Sequence, residues 1–574
     1  MILLLLALAL LCGLFAACGK KETEPGEEDE AMEQEPIMIC GQPISSYVVL
    51  KDSTTAASTL RTAVRSFADI DLSTTKTVPE DGRVIRFAAD PTVSPACCRV
   101  YTDGNALVIA AYRSDYFKKA ASRFGDLLTG EQVVFGEDYD ETLAYPTVAY
   151  KSTMSCKLTG DSDKDPLTYT TSDTAVLHVA AVSGDKIVSV PYFKVVTYVE
   201  STQQTDTVYM SGTKGYCDIK LKSKRPGFAY CNVTACDENK NALNFTVVAD
   251  DGSGCHYAGS VCFNASAITV ISQKPADHES FWQGVTDEVR TMAIETVAME
   301  DISDREGFTT YYVALRCGTD DKGRPGVAAG YLTVPNGTGK IGLAFRFQAY
   351  GYGTPDKIYD ADNAVFSVCS HSVELDKYVK GSDYYNEMYN SIAGAPGEPG
   401  FGQRTNVTRD TIYFKQMLMR DLLAARYMIE RFGENGEGRW NGVDLTYGGN
   451  SMGAFQSVAT AALTPLATGK TPSLVDIGIP WMCDLGGYTD GRRLSCFRPP
   501  QESAVYYYDT VYFGEMLPET CRVKIYAGLG DHICPASGVM SLYNAVKGPK
   551  TLTFESNTTH GGGWDGTEYT LQNP

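Results

Sequence analysis

Val443-Asp444-Leu445-Thr446-Tyr447-Gly448-Gly449-Asn450-Ser451-Met452-Gly453-Ala454 is the stretch that decides the fold. A strand leads up to the serine, and a run of small residues from Ala454 to Leu463 reads as a helix behind it. The turn between them needs Gly449 and Gly453, because a Cβ at either place would press on neighbouring backbone. Such a strand–turn–helix pushes the Ser451 Oγ out at the top of a sheet and aims the helix N-terminus at it. G-x-S-x-G alone is a weak motif, and a glycine-rich turn around a structural serine reads the same way.

Two later residues strengthen the first reading. Asp531 stands in Gly528-Leu529-Gly530-Asp531-His532-Ile533-Cys534-Pro535, and His560 in Asn557-Thr558-Thr559-His560-Gly561. The chain order Ser, Asp, His resembles that of the α/β-hydrolases. Serine is a poor nucleophile unaided; His560 would take its proton and hand it to the leaving alkoxide, and Asp531 would hold the imidazole in the right tautomer. The chain has only six histidines. His178 and His256 lie in a β-rich region, His278 precedes the last domain, His532 adjoins Asp531, and His371 is the competitor for the role of base. An oxyanion hole needs two backbone N–H groups. One is assigned to Met452, directly after the nucleophile. The other is assigned to Tyr350, where Phe345-Arg346-Phe347-Gln348-Ala349-Tyr350-Gly351-Tyr352-Gly353 opens from an apolar strand into a glycine-rich loop.

Residues 273–574 alternate strands and helices. Ile341 to Phe347 suits a buried parallel strand. The span Asp410 to Phe432 is predicted as a helix, with Leu418, Leu422, Ala425, Ile429 and Phe432 on one face. The fold class expected is α/β, with a C-terminal doubly wound sheet of α/β-hydrolase type and its chemistry at the carboxyl ends of the strands. Residues 148–272 change period. Short strands at Val176–Val179, Phe193–Val199, Phe228–Val233 and Phe245–Val248 suggest an immunoglobulin-like β-sandwich. Residues 44–147 read as a small α/β accessory domain, with helices at Ala56–Phe67 and Tyr116–Leu128.

The N-terminus reads as a targeting segment. Ile2 to Ala17 is apolar but shorter than the ~20 residues of a membrane span. It ends Leu14-Phe15-Ala16-Ala17-Cys18, which resembles a bacterial lipoprotein processing site with Cys18 carrying lipid. Residues 1–18 are taken as signal and anchor, and 19–43, rich in charge, as an acidic tether with no core of its own. The expected location is the bacterial cell envelope, with membrane contact only through the lipid.

A net charge of −20 argues against nucleic acid as partner. The seventeen cysteines show no CxxC pair and no zinc spacing, so no metal is assigned; outside the cytoplasm they form either disulfides or buried thiols. No phosphate-binding loop or nicotinamide fingerprint is present, and no cofactor is expected.

Three stretches resemble the acetyl xylan esterase and cephalosporin C deacetylase family, carbohydrate esterase family seven. They are Pro275-Ala276-Asp277-His278-Glu279-Ser280-Phe281-Trp282, the serine turn, and Gly528 to Ser537 with Tyr543 to Lys550 and His560. The resemblance spans residues 273–574. It implies a Ser–Asp–His esterase acting on acetylated xylo-oligosaccharides and related small esters, with Ser451, Asp531 and His560 as triad and Tyr350 in the oxyanion hole. Met452 stands where the family has Gln, Gly561 where it has Glu, and its Arg-Gly-Gln segment has no counterpart near Val368–Ser372. The alternatives are a carbohydrate-binding lipoprotein with a vestigial hydrolase domain and a hydrolase of other acyl or peptide specificity.

Overall fold

The computed structural model describes residues 35–51, 53–184, 186–248, 253–319, 325–350, 354–369, 371–373, 375, 383–384, 408–497, 499, 503–563 and 566–573. The signal-like segment, Cys18, the tether up to residue 34, and Gly351, Tyr352 and Gly353 of the glycine-rich loop lie outside the described residues. The end of the expected tether is instead folded: Ile37–Ile39 is a strand beside Val133–Phe135, because both isoleucines bury in the N-terminal core.

The chain folds as a mixed α/β structure around a ten-stranded sheet. Across it the strands run Thr296–Asp301, Phe308–Thr319, Pro325–Pro335, Asn363–Val368, Ile341–Phe347, Trp440–Asn450, Leu474–Gly478, Arg522–Gly528, Lys550–Glu555 and Glu568–Asn573. The six from Asn363–Val368 to Lys550–Glu555 are parallel, and the flanking pairs are antiparallel. Ile341–Phe347 lies between two strands that follow it in the chain. The order therefore reverses there, and the carboxyl ends of Ile341–Phe347 and Trp440–Asn450 flank the switch point where open α/β sheets hold ligands.

The helix after the serine, Met452–Thr468, runs two residues earlier and five later than the small-residue stretch suggests. Its Ala, Gly, Ser and Thr side chains let it pack closely between the sheet and the helices Tyr413–Phe432 and His278–Thr291. Tyr413–Phe432 starts three residues later than expected, after a turn in which the Thr408 and Thr411 hydroxyls bond one another. It is buried on more than the predicted face: Met417, Arg420, Asp421, Leu423 and Met428 are enclosed as well. Trp282, on His278–Thr291, is wholly buried and donates from its indole to Tyr507 O at 3.0 Å.

Residues 147–263 form two antiparallel-rich sheets that share a core of Leu158, Val179, Phe193, Val195, Val233 and Val261. The strand expected at Phe245–Val248 is reduced to one bridge, Cys156 to Phe245, and the edge place beside Gly227–Cys236 is taken by Tyr257–Phe263. The core of the large sheet also draws in Phe228, Tyr230, Cys262 and Ile268, so apolar packing crosses residue 272. Farther toward the N-terminus a six-stranded sheet carries the helices Thr54–Ala68 and Phe117–Gly125, with Ser53 capping the first. All fifteen cysteines among the described residues are free thiols, most of them buried.

One buried ring makes acid stability testable. His256 is 2% exposed, and its Nδ1 accepts the Ala235 N–H at 3.1 Å, which only the neutral ring can do. Burial pushes its pKa down to about 4. An unfolded histidine titrates near 6.5, so this stability is complete above that pH and is lost as pH falls toward 4; at pH 4.5 the loss is about 2–3 kcal/mol. The gap in unfolding free energy between wild type and His256→Gln should narrow by about that much between pH 7.5 and 4.5 in urea titrations. A gap that stays constant would contradict the assignment.

Candidate active site

Ser451 sits between its strand and helix at φ 56°, ψ −117°, a conformation that side chains rarely adopt. The backbone is held there by contacts that leave no room for a side chain on either side. A Cβ on Gly453 would lie 2.3 Å from the Phe347 carbonyl oxygen, and one on Gly449 2.7 Å from the same atom. Ser451 N donates to Gly478 O at 2.9 Å, which ties the turn to the next parallel strand.

The three residues named from sequence come together. His560 Nε2 lies 3.0 Å from Ser451 Oγ, and His560 Nδ1 lies 2.9 Å from Asp531 Oδ2. Ser451 is 7% exposed and the Asp531 side chain fully buried. The other carboxylate oxygen of Asp531 accepts the N–H groups of Ile533 at 2.7 Å and Cys534 at 2.8 Å. These donors come from the turn that Asp531 itself initiates, an arrangement legible in an Asp followed closely by Cys534-Pro535. They fix the carboxylate before the imidazole meets it.

The other candidates lie in different surroundings. Met452 opens the helix, so its N–H is among the unpaired donors of the first turn; its side chain is buried in the core. Tyr350 lies on the loop after Ile341–Phe347, with its ring edge-on to Phe497 at 4.5 Å between centroids. Gln456 Nε2 donates to Gln348 O at 3.0 Å and so joins the serine helix to that loop. His371 is elsewhere: its Nδ1 meets Tyr413 OH at 2.6 Å, deep in the core. His532 points to Arg493 rather than to the serine.

Sequence reasoning missed two features. Trp481 packs against Phe414 and Phe497 at 5.8 and 5.9 Å, so an aromatic wall runs beside the serine, whose carbonyl accepts Trp481 N at 3.3 Å. Cys534 places its thiol within 4.8 Å of the Asp531 carboxylate and the His560 ring. Burial, reinforced by the Asp531 carboxylate, raises its pKa well above the ordinary thiol value and keeps it neutral. Nothing in the spacing of the seventeen cysteines distinguishes this one. The ligand-type atoms of Asp531, Cys534 and His560 lie within 4.8 Å of one another. Both imidazole nitrogens have partners within this cluster and beside it, in Asp531 and Ser451.

Residues 267–568 match the family model described as acetyl xylan esterase. The acetyl esterase Axe7A of Xylanibacter ruminicola is 26% identical over 308 residues, covering 52% of this chain and 66% of that protein. The chain thus spans just under two thirds of that relative's length. Among solved structures, the acetyl xylan esterase from Paenibacillus sp. R4 overlaps 52% of this chain and 93% of its own, at 15% identity and a TM-score of 0.40. Acetyl xylan esterase 1 from Thermoanaerobacterium sp. JW/SL YS485 overlaps the same shares at 18% identity and a TM-score of 0.38. Likeness at that level leaves the site to its own geometry. With the family match spanning more than half of the sequence and enclosing Ser451, Asp531 and His560, the chain belongs to the acetyl xylan esterase family of carboxylic ester hydrolases.

Proposed function

We propose that this protein removes acetyl or other short acyl groups from acetylated xylo-oligosaccharides or related carbohydrate esters, through an acyl-enzyme on Ser451. The observation that carries the reading is the unbroken relay from Asp531 through His560 to Ser451, at 2.9 and 3.0 Å. Ser451 Oγ attacks the ester carbonyl as its proton passes to His560 Nε2. Asp531 stabilises the imidazolium, and the N–H groups of Met452 and Tyr350 receive the charge that develops on the carbonyl oxygen. The proton on Nε2 then goes to the departing sugar oxygen. Water, deprotonated by the same nitrogen, releases the carboxylic acid and restores the serine. A small acyl group is supported by the bulk of Tyr350, Phe497 and Trp481 beside the nucleophile.

The same reading divides the chain into a small α/β accessory domain (44–147), an immunoglobulin-like sandwich (148–272) and the esterase (273–574). Lipid on Cys18 and the acidic tether would hold it at the bacterial envelope. The two shared sheets and the apolar run before Cys18 support this arrangement.

Ser451→Ala should lower kcat for p-nitrophenyl acetate by about 10⁴-fold or more with the fold intact, and Asp531→Asn by about 10⁴-fold through loss of the correct tautomer. Wild-type rates in Ser451→Ala would sink the assignment. Across a p-nitrophenyl ester series, kcat/KM should fall steeply beyond short acyl chains, and acetate should appear from acetylated xylo-oligosaccharides. Serine-dependent cleavage of long-chain esters alone would keep the mechanism and discard the substrate.

A further inference from the structure

The loops that bear the acid and the base do not rest on the large sheet alone. The base loop leaves the strand Lys550–Glu555 and crosses onto the two-sheet β unit of residues 147–263. Its first residue, Ser556, donates from Oγ to Asp161 Oδ2 at 2.9 Å, across 395 positions of sequence. Ser556 Oγ in turn accepts Thr567 N at 3.0 Å, so it is fixed from both sides. Asn557 stands at φ 49°; its Oδ1 accepts Ala258 N at 3.3 Å and its Nδ2 donates to Leu158 O at 3.4 Å. Thr559, next to the base, donates from Oγ1 to Val248 O. Three of the four residues before His560 are thereby bonded into another unit.

The acid loop is held in the same way. Ser260 donates from Oγ to Leu529 O at 2.6 Å, two residues before Asp531. Gly530 lies so close to the β unit that a Cβ there would be 2.4 Å from the Ala258 carbonyl oxygen. Tyr230 OH accepts Ser537 N at 3.1 Å, where the helix after the acid loop begins.

A spacer module has no need of such bonds, and Asp161 has a cost that a spacer would not retain. It is 2% exposed, and burial pushes its carboxyl up to about 6. A buried carboxylate is tolerated where hydrogen bonds make use of it. Catalytic groups on loops must be held to about half an ångström, and loops alone hold less well than helices or strands.

We propose that the β unit is a working part of the catalytic centre, with Asp161 and Ser260 as positioning residues that set the base loop of His560 and the acid loop of Asp531. The inference rests on the triad reading given above.

The test uses the full chain with p-nitrophenyl acetate as probe. Asp161→Ala and Ser260→Ala should each lower kcat by about 10- to 100-fold, the effect of misplacing a catalytic group by about an ångström, with KM within about twofold. Asp161→Asn, which keeps the shape and one acceptor oxygen but turns the other into a donor, should recover part of the loss. Arg225→Ala breaks a contact of the β unit with Asp490, away from both loops, and should keep the wild-type kcat. If Asp161→Ala and Ser260→Ala lower only the unfolding temperature while kcat stays at wild type below it, the β unit is structural support and the proposal fails. If Asp161→Ala does not fold, Ser260→Ala decides by the same readout. Failure of the triad reading would show separately, as wild-type hydrolysis by Ser451→Ala.

Discussion

The site depends on a contact made by backbone alone. Gly449 and Gly453, on either side of Ser451, both lie against the carbonyl oxygen of Phe347 at the end of the neighbouring strand. That contact sets how high Ser451 stands above the sheet and brings the helix start beside the loop of Tyr350. It also holds strain in place. Ile479, Met482 and Asp484, on the loop after the next strand, share a positive φ with Ser451, at a cost of roughly 1–3 kcal/mol each. Such conformations persist only where the surroundings leave no alternative. The serine helix, buried along nearly its whole length, provides that surrounding.

Electrostatics then decide which buried acids can work. Asp531 accepts two backbone N–H groups and the imidazole, so each of its oxygens has a defined partner. Asp421 is equally buried, on the long helix beside Arg420, but neither of its oxygens has a hydrogen-bond partner among the described residues. Burial raises its pKa well above the carboxylate range despite the arginine, and the group is driven toward its neutral form. Burial alone makes a carboxyl inert; oriented donors make it a partner for histidine.

Much of the large sheet and of the relay was legible in sequence, for a local reason. Strand, turn and helix around Ser451 lie within one stretch of chain, and glycine reports steric demand directly. Chain order brought in Asp531 and His560. What escaped is non-local. Phe245–Val248 has strand composition, yet Tyr257–Phe263 takes the edge place, because β-pairing is settled by burial against neighbours rather than by residue type. Asp161 and Ser260 belong to no motif, and their partners lie hundreds of residues away. His371, the competitor for the role of base, has its Nδ1 against Tyr413 OH, a partner that no local pattern announces.

The junction between the β unit and the large sheet also shows two kinds of force with separate tasks. Phe228 and Tyr230 are fully buried in the core of the large sheet, and each such side chain is worth about 1.5–3 kcal/mol. The hydrogen bonds from Ser556, Asn557 and Ser260 are worth about 0.5–1.5 kcal/mol apiece. Apolar burial therefore holds the two units together, but it is non-directional and would tolerate small slips. The polar bonds add less energy and far more direction, because each fails within a few tenths of an ångström. They are concentrated on the two loops where such a slip would separate Asp531 from His560. Docking strength and catalytic register are thus carried by different residues of one interface, and a substitution can damage either without the other.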